Sequence, residues 1–209
     1  MQHERPVVFL VDDDLSVLGS LSRALEIHGL EVKAFASAEE FLNVYNNEHG
    51  CLVLDLSLPE KDGLELQAEL KHQECEIPII FITGSGGIPD SVEALRAGAI
   101  DFLEKPFKTE RLIESIDEAV QRDALCRASM QQKHNMQKRI SSLTNREVVV
   151  LKLLLERDGI PSSKEIARIL DISHRTVEHH RSRLLEKIGA SSVYELRTLL
   201  EGFHLHLND

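Results

Sequence analysis

A chain of 209 residues suits one large domain or two ordinary ones, and a hydrophobic share of 42% is enough to build real cores. No apolar stretch approaches the ~18–20 residues of a membrane span, and the opening residues, MQHERPVVFLVDDD, turn acidic too soon for a secretory signal. The net charge of −11 is spread unevenly: residues 1–122 hold 10 Lys/Arg against 24 Asp/Glu, while residues 123–209 hold 14 against 11 and six of the ten histidines, a contrast that predicts two domains with different partners. Cys51, Cys75 and Cys126 are odd in number and share no C-x-x-C spacing. They read as reduced thiols of a cytoplasmic protein, not as a disulfide frame or a zinc site.

In chain order, the first half alternates apolar runs with amphipathic stretches. VVFLV (7–11), a weaker run at 32–35, 52–54, IIFI (79–82) and a weaker run at 100–103 predict five strands. Unbroken apolar runs of this kind suit strands buried on both faces, as in a parallel sheet. Between them, helical periodicity is predicted over 15–28, 39–45, 64–71, 90–97 and from 109 onward, with Gly29 and Gly98 as stops. Five strands alternating with five helices predict a doubly wound α/β domain over residues 1–122. Residues 123–141, rich in Gln, Lys and Arg and free of Pro and Gly, read as a helical linker. From 142 to 209 the chain reads as all-helical. Thr144 caps a helix carrying Val148, Leu151, Leu154 and Leu155, and helices follow over 164–170, 176–188 and 192–203.

In an open α/β sheet, sites gather beyond the carboxyl ends of the strands. Asp12, Asp13 and Asp14 follow the first predicted strand, Asp55 ends the third, Thr83 follows the fourth and Lys105 follows the fifth. Clustered carboxylates repel one another unless a cation lies among them, and hard oxygen ligands suit Mg²⁺. A lysine adds a point charge and a threonine a hydrogen-bond donor for phosphate oxygens. That inventory fits phosphoryl transfer, with an aspartate as nucleophile. Taken singly, each residue also has a bland reading: Asp14, for example, suits the cap of the helix over 15–28.

Asp12–Asp13, LVLDLSLPEKDGLEL, PIIFITG and AGAIDFLEKPF, in this order, resemble the receiver domain of two-component response regulators over residues 5–122. The resemblance implies a sheet of strand order 2-1-3-4-5. It implies that Asp55 accepts a phosphoryl group from a partner sensor histidine kinase, and that Asp12, Asp13, Asp55 and the Ser57 carbonyl bind Mg²⁺. Thr83 and Lys105 would sense the phosphoryl group, Phe102 would turn inward with Thr83, and the Lys105–Pro106 peptide would be cis. The loop over 84–91 would respond to phosphorylation, and Ser57 and Ser85 would flank the path of attacking water. Such a chain is a regulator and not an enzyme, apart from catalysing its own phosphorylation and dephosphorylation. Two competing readings are a phosphatase of the haloacid-dehalogenase type, with Asp12 as nucleophile and Asp14 as acid/base, and a regulator that never uses phosphate.

In the second half, SKEIARILDISHRTVEHHRSRLLEKIG has helix-turn-helix logic. Ile166, Ala167 and Leu170 form one inner face, Val177 and Leu184 the other, and Ser173 caps the second helix. Its outward face presents polar groups to a major groove. LTNREVVVL, KEIARIL and RTVEHHRSRLLEKIGA resemble the LuxR-type DNA-binding domain, which implies DNA contacts from Arg175, Thr176, Glu178, His179, Arg181, Ser182 and Arg183. The loop ERDGIPSS is about three residues longer than the usual link in that family, and Glu178 stands where many members carry lysine. The whole arrangement resembles the FixJ/NarL response regulators, nearest the FixJ-like branch, which includes regulators of aromatic-hydrocarbon degradation. It implies promoter DNA, a homodimer on phosphorylation and RNA polymerase as partners.

Overall fold

The computed structural model describes residues 5–73, 75–84, 88–155 and 159–201. Parts of three expectations lie outside these residues: Ser85 and its neighbours in the loop over 84–91, residues 156–158 of ERDGIPSS, and the end of the helix expected to reach 203. The chain divides into two compact units, Met1–Ala128 and Ser129–Asp209.

In the first unit the order is β1 (Val7–Val11), α1 (Leu15–Ile27), β2 (Glu31–Phe35), α2 (Ala38–Val44), β3 (Gly50–Asp55), α3 (Gly63–His72), β4 (Ile79–Thr83), α4 (Ile88–Arg96), β5 (Asp101–Glu104) and the start of α5 (Thr109–Ser141). All strands are parallel, in the order β2-β1-β3-β4-β5. Alternate residues of each strand enter opposite cores, as the pleat requires. Phe9, Val11, Leu52, Leu54 and Phe81 pack with Phe41, Leu66 and Leu70 on one face. Val8, Leu10, Cys51, Val53, Ile80 and Ile82 pack with Leu18, Leu25, Leu112 and Ile116 on the other. The three central strands are buried at every position, which is why they read as unbroken apolar runs. The weaker runs are the two edge strands, β2 and β5, each partly exposed.

Polar residues set the entry of α1, α2 and α3. Asp14 accepts from the amides of Ser16 and Val17 at the start of α1. Asp62 and Glu65 form a reciprocal capping box on α3. The Ser16 hydroxyl and the Ser16 and Val17 amides hold the Asp14 carboxyl below its ordinary pKa.

The second unit comprises the last part of α5, then α6 (Asn145–Leu155), α7 (Ser163–Leu170), α8 (His174–Ile188) and α9 (Val193–Leu200). Its core gathers Met136 and Ile140 of α5 with Val150, Leu151, Leu154, Ile166, Val177, Leu184, Ile188 and Leu196. Of the residues named on α6 from the sequence, Leu151 and Leu154 are fully buried and Val148 and Leu155 half-buried, and Val150 is fully buried as well. Ser162 with Glu165 and Thr144 with Glu147 cap α7 and α6. Helix α8 begins at His174, two residues before the expected start, because Ser173 is the cap and accepts from the Thr176 amide.

Candidate functional site

Three chain segments meet at the carboxyl edge of the first sheet. The register pairs Val11 with Leu54, so Asp12 and Asp55 leave adjacent strands side by side. It also pairs Thr83 with Glu104, and the Lys105 amide donates to the Thr83 carbonyl at 2.7 Å. The following Lys105–Pro106 peptide is cis. Lys105 reaches back across the edge. Its Nζ donates to Asp12 Oδ2 at 2.6 Å and to Asp55 Oδ1 at 2.7 Å. The partners stand 93 and 50 residues from it in sequence.

Both carboxylates are nearly closed off from water, Asp12 at 1% and Asp55 at 4% exposure. Buried carboxylates persist only when countercharges and hydrogen bonds replace the lost hydration. Asp12 Oδ1 accepts from the Asp14 amide at 2.9 Å, and Asp55 Oδ2 accepts from the Ser57 amide at 2.7 Å. Burial alone would depress the Lys105 ammonium, but its bonds to Asp12 and Asp55 outweigh that and raise its pKa above the ordinary lysine value. Gly63 completes the wall. A Cβ there would lie 2.7 Å from the Asp55 carbonyl oxygen and 2.8 Å from the Phe81 ring, so only glycine lets α3 approach this closely.

The remaining first-unit residues lie around this pair. Asp13 is exposed, next in chain to Asp12. Thr83 is fully buried at the end of β4. Phe102 is half-buried against the core, its ring 6.3 Å from that of Phe81. Ser57 is exposed, and it touches Asp55 through its amide, a contact that sequence reasoning had not anticipated. Among the described residues, no three His, Cys, Asp or Glu side chains gather closely enough to hold a metal by themselves. Asp14 Oδ1 caps α1, accepting from the Ser16 and Val17 amides, which gives this acid a structural role.

In the second unit, α8 buries Val177, Leu184 and Ile188 and exposes Arg175, Thr176, Glu178, His179, Ser182 and Arg183. These exposed residues recur at helical spacing and share one outward face. The Thr176 hydroxyl lies 2.7 Å from Ser173 Oγ, and Glu178 lies 3.3 Å from His174. Arg181 differs from the rest. It is half-buried, and its guanidinium donates to Ser163 Oγ at 3.0 Å and the Pro161 carbonyl at 3.4 Å. It braces α8 against the start of α7. Its partners lie 18 and 20 residues away, so no local spacing announces them.

Two family models match the chain. The response regulator receiver domain covers residues 8–117, and the luxR family of bacterial regulatory proteins covers residues 141–200. The response regulator protein TodT of Pseudomonas putida is 40% identical over 202 residues, spanning 96% of this chain and 88% of its own. The transcriptional regulatory protein FixJ of Rhizobium meliloti is 40% identical over 190 residues, spanning 90% and 92%. Among solved structures, the response regulator StyR superposes with a TM-score of 0.87 at 40% identity, covering 96% of this chain and all of that one. No helix among the described residues is long and apolar enough to cross a membrane. The chain therefore belongs to the transcriptional response regulators of the FixJ/NarL type, in which a receiver domain is joined to a LuxR-type DNA-binding domain.

Proposed function

We propose that this protein is a phosphorylation-switched transcription regulator with Asp55 as phosphoacceptor. The observation that carries the reading is the convergence of buried Asp12, buried Asp55 and Lys105 at the carboxyl edge of β1, β3 and β5. In the reaction, an Asp55 carboxylate oxygen attacks the phosphorus of a phosphohistidine on the partner kinase. The P–N bond breaks as the P–O bond forms, and the imidazole leaves. Lys105 then holds a phosphoryl oxygen in place of the Asp55 oxygen it now holds, and the Thr83 hydroxyl donates to another. Phosphorylation brings roughly −1.5 to −2 charge, by analogy with other phospho-residues.

The donor set fits Mg²⁺. This ion is content with one or two carboxylates, waters and phosphate oxygens, and Asp12 and Asp55 supply that pair, with Asp13 beside them and the Ser57 carbonyl as the further protein ligand. Bound there, the ion would supply charge neutralisation for the transferring group. The receiver is assigned to residues 1–122, the linker to 123–141 and the DNA-binding domain to 142–209. Movement of Thr83 and Phe102 remodels the face of α4, β5 and α5. That face, where Val92 and Leu95 are exposed, becomes the homodimer surface. Two linked domains then bind paired promoter half-sites with an avidity gain. Arg175, Thr176, Glu178, His179, Ser182 and Arg183 face the DNA, and Arg181 positions the helix that carries them. RNA polymerase is the partner that such a promoter-bound dimer would meet.

The test replaces Asp55 with Asn and measures DNA affinity with and without acetyl phosphate and Mg²⁺. The wild-type chain is expected to gain affinity on adding the donor and the variant to show none. An equal gain in Asp55→Asn would remove Asp55 from the mechanism.

A further inference from the structure

Of the six outward residues of α8 assigned above to the DNA, Glu178 is the acid. Duplex DNA presents about one negative charge per 1.7 Å of its axis, so a carboxylate on that face is repelled unless it meets a donor. The helix itself gives little reason for an acid here. Val177 turns into the core, while the Glu178 side chain is 58% exposed. Its Oε1 lies 3.3 Å from Nε2 of His174, itself an exposed residue. Exposed pairs of this kind contribute little to stability, and the basic partner stands one turn before the acid, the weaker of the two orders on a helix. Nor does Glu178 cap α8, because Ser173 does so by accepting from the Thr176 amide.

Glu178 stands in the amino-terminal half of α8, about one turn in from Ser173. That half of a reading helix is the part that meets base edges. Arg175, three residues before it, and Ser182, four residues after it, are exposed neighbours at helical spacing. Arg181, three residues on, turns its guanidinium to Ser163 Oγ and the Pro161 carbonyl instead. A strip of guanidinium, carboxylate and hydroxyl suits base edges, which mix donors with acceptors. It does not suit a row of phosphates, which offers acceptors alone.

An ionised carboxylate can only accept hydrogen bonds. The major groove offers it two kinds of donor, the N6 amino group of adenine and the N4 amino group of cytosine. The adenine amino group lies between two acceptors, its own N7 and the O4 of the paired thymine, and both repel a carboxylate. The cytosine amino group has an acceptor on one side only, the O6 of the paired guanine. We propose that Glu178 is a specificity-determining residue that accepts a hydrogen bond from the N4 amino group of a cytosine in each half-site. The inference rests on the DNA-reading role proposed above.

The test selects binding sites from a pool of random DNA duplexes with the full-length chain, in the presence of acetyl phosphate and Mg²⁺, for the wild type, Glu178→Gln and Glu178→Ala. Wild-type sites are expected to hold a cytosine at one fixed position of each half-site. Glu178→Gln is expected to move that position to adenine, which a glutamine amide pairs bidentately. Glu178→Ala is expected to leave the position without preference, and neither variant should alter the others. By fluorescence anisotropy at fixed salt, changing that C·G pair to T·A is expected to weaken wild-type binding about fivefold to a hundredfold, and binding of Glu178→Ala by less than about twofold. The same base preferences in all three chains, or a wild-type adenine at the position the variants change, would overturn the assignment of Glu178 and leave the DNA-reading role standing. So would an equal rise in affinity for every sequence in Glu178→Ala, the mark of a carboxylate that only repels phosphates. Wild-type binding with no preferred sequence would overturn the assignment too. A wild-type chain that binds no DNA overturns the DNA-reading role itself, and the assignment falls with it.

Discussion

The two units build their candidate sites in opposite ways. In the first, Asp12, Asp55 and Lys105 come from three separate strand ends, the two carboxylates buried and the lysine half-buried, so their positions depend on sheet register and on mutual charge compensation. In the second, the outward residues of α8 lie within nine positions of one another and are exposed, so their positions depend on one helix and on the core beneath it. Folding and chemistry are therefore coupled in the first site and separable in the second. A change to a buried charge disturbs both stability and function, whereas a change to an exposed contact residue disturbs function alone.

The largest effect should come from the support beneath the second site. Leu184→Ala removes a fully buried side chain of α8, at a cost of about 2–5 kcal/mol in chemical denaturation. DNA binding should be lost with the fold of that unit, while urea unfolding of the receiver stays unchanged. Next is Lys105→Met, which leaves two buried carboxylates facing each other. The expected loss is about 2–3 kcal/mol, toward the low end for a broken buried pair because the Lys105 side chain is 23% exposed. Added Mg²⁺ should restore part of it, and a loss that is indifferent to Mg²⁺ would argue against a cation site at this edge.

Arg183→Ala tests separability from the other side. Its side chain is 57% exposed and meets Glu186, at 3.7 Å, in a surface pair. Stability should move by less than about 0.5 kcal/mol. DNA affinity, by fluorescence anisotropy at fixed salt, should fall by about 1–3 kcal/mol if the residue pairs with a base. A stability loss larger than the binding loss would show that the two are not independent there.

The smallest effect concerns pH. Burial alone would raise the Glu147 carboxyl, but the hydrogen bonds from Lys187 and Thr144 win and hold it below its ordinary value. A depressed carboxyl contributes stability that is present above the ordinary glutamate range and lost as pH falls through the lowered folded value. Thermal unfolding of the second unit should therefore weaken in acid, and Glu147→Gln should flatten that slope. An unchanged slope would mean that another group sets it.

Legibility in the sequence followed the same division. The central strands were readable because burial on both faces leaves an unbroken apolar run, while edge strands β2 and β5 hide less and read weakly. Asp12, Asp55, Thr83 and Lys105 stood out because strand ends in a parallel sheet converge on one edge. What could not be read was which polar residues are spent inside the molecule. Arg181 looks like its neighbours on α8, yet its guanidinium lies on Ser163. Asp123 and Arg139 sit in a polar stretch whose composition predicts only a solvated helix. Their partners His49 and Ile188 stand 74 and 49 residues away, a distance that no periodicity reports.

The most direct test of the switch is intact-protein and peptide mass spectrometry of the wild-type chain after incubation with acetyl phosphate and Mg²⁺. One added phosphoryl mass, mapped to the peptide containing Asp55 and absent in Asp55→Asn, is the result expected. A phosphoryl mass that persists in the Asn variant, or no added mass under any donor, would contradict it.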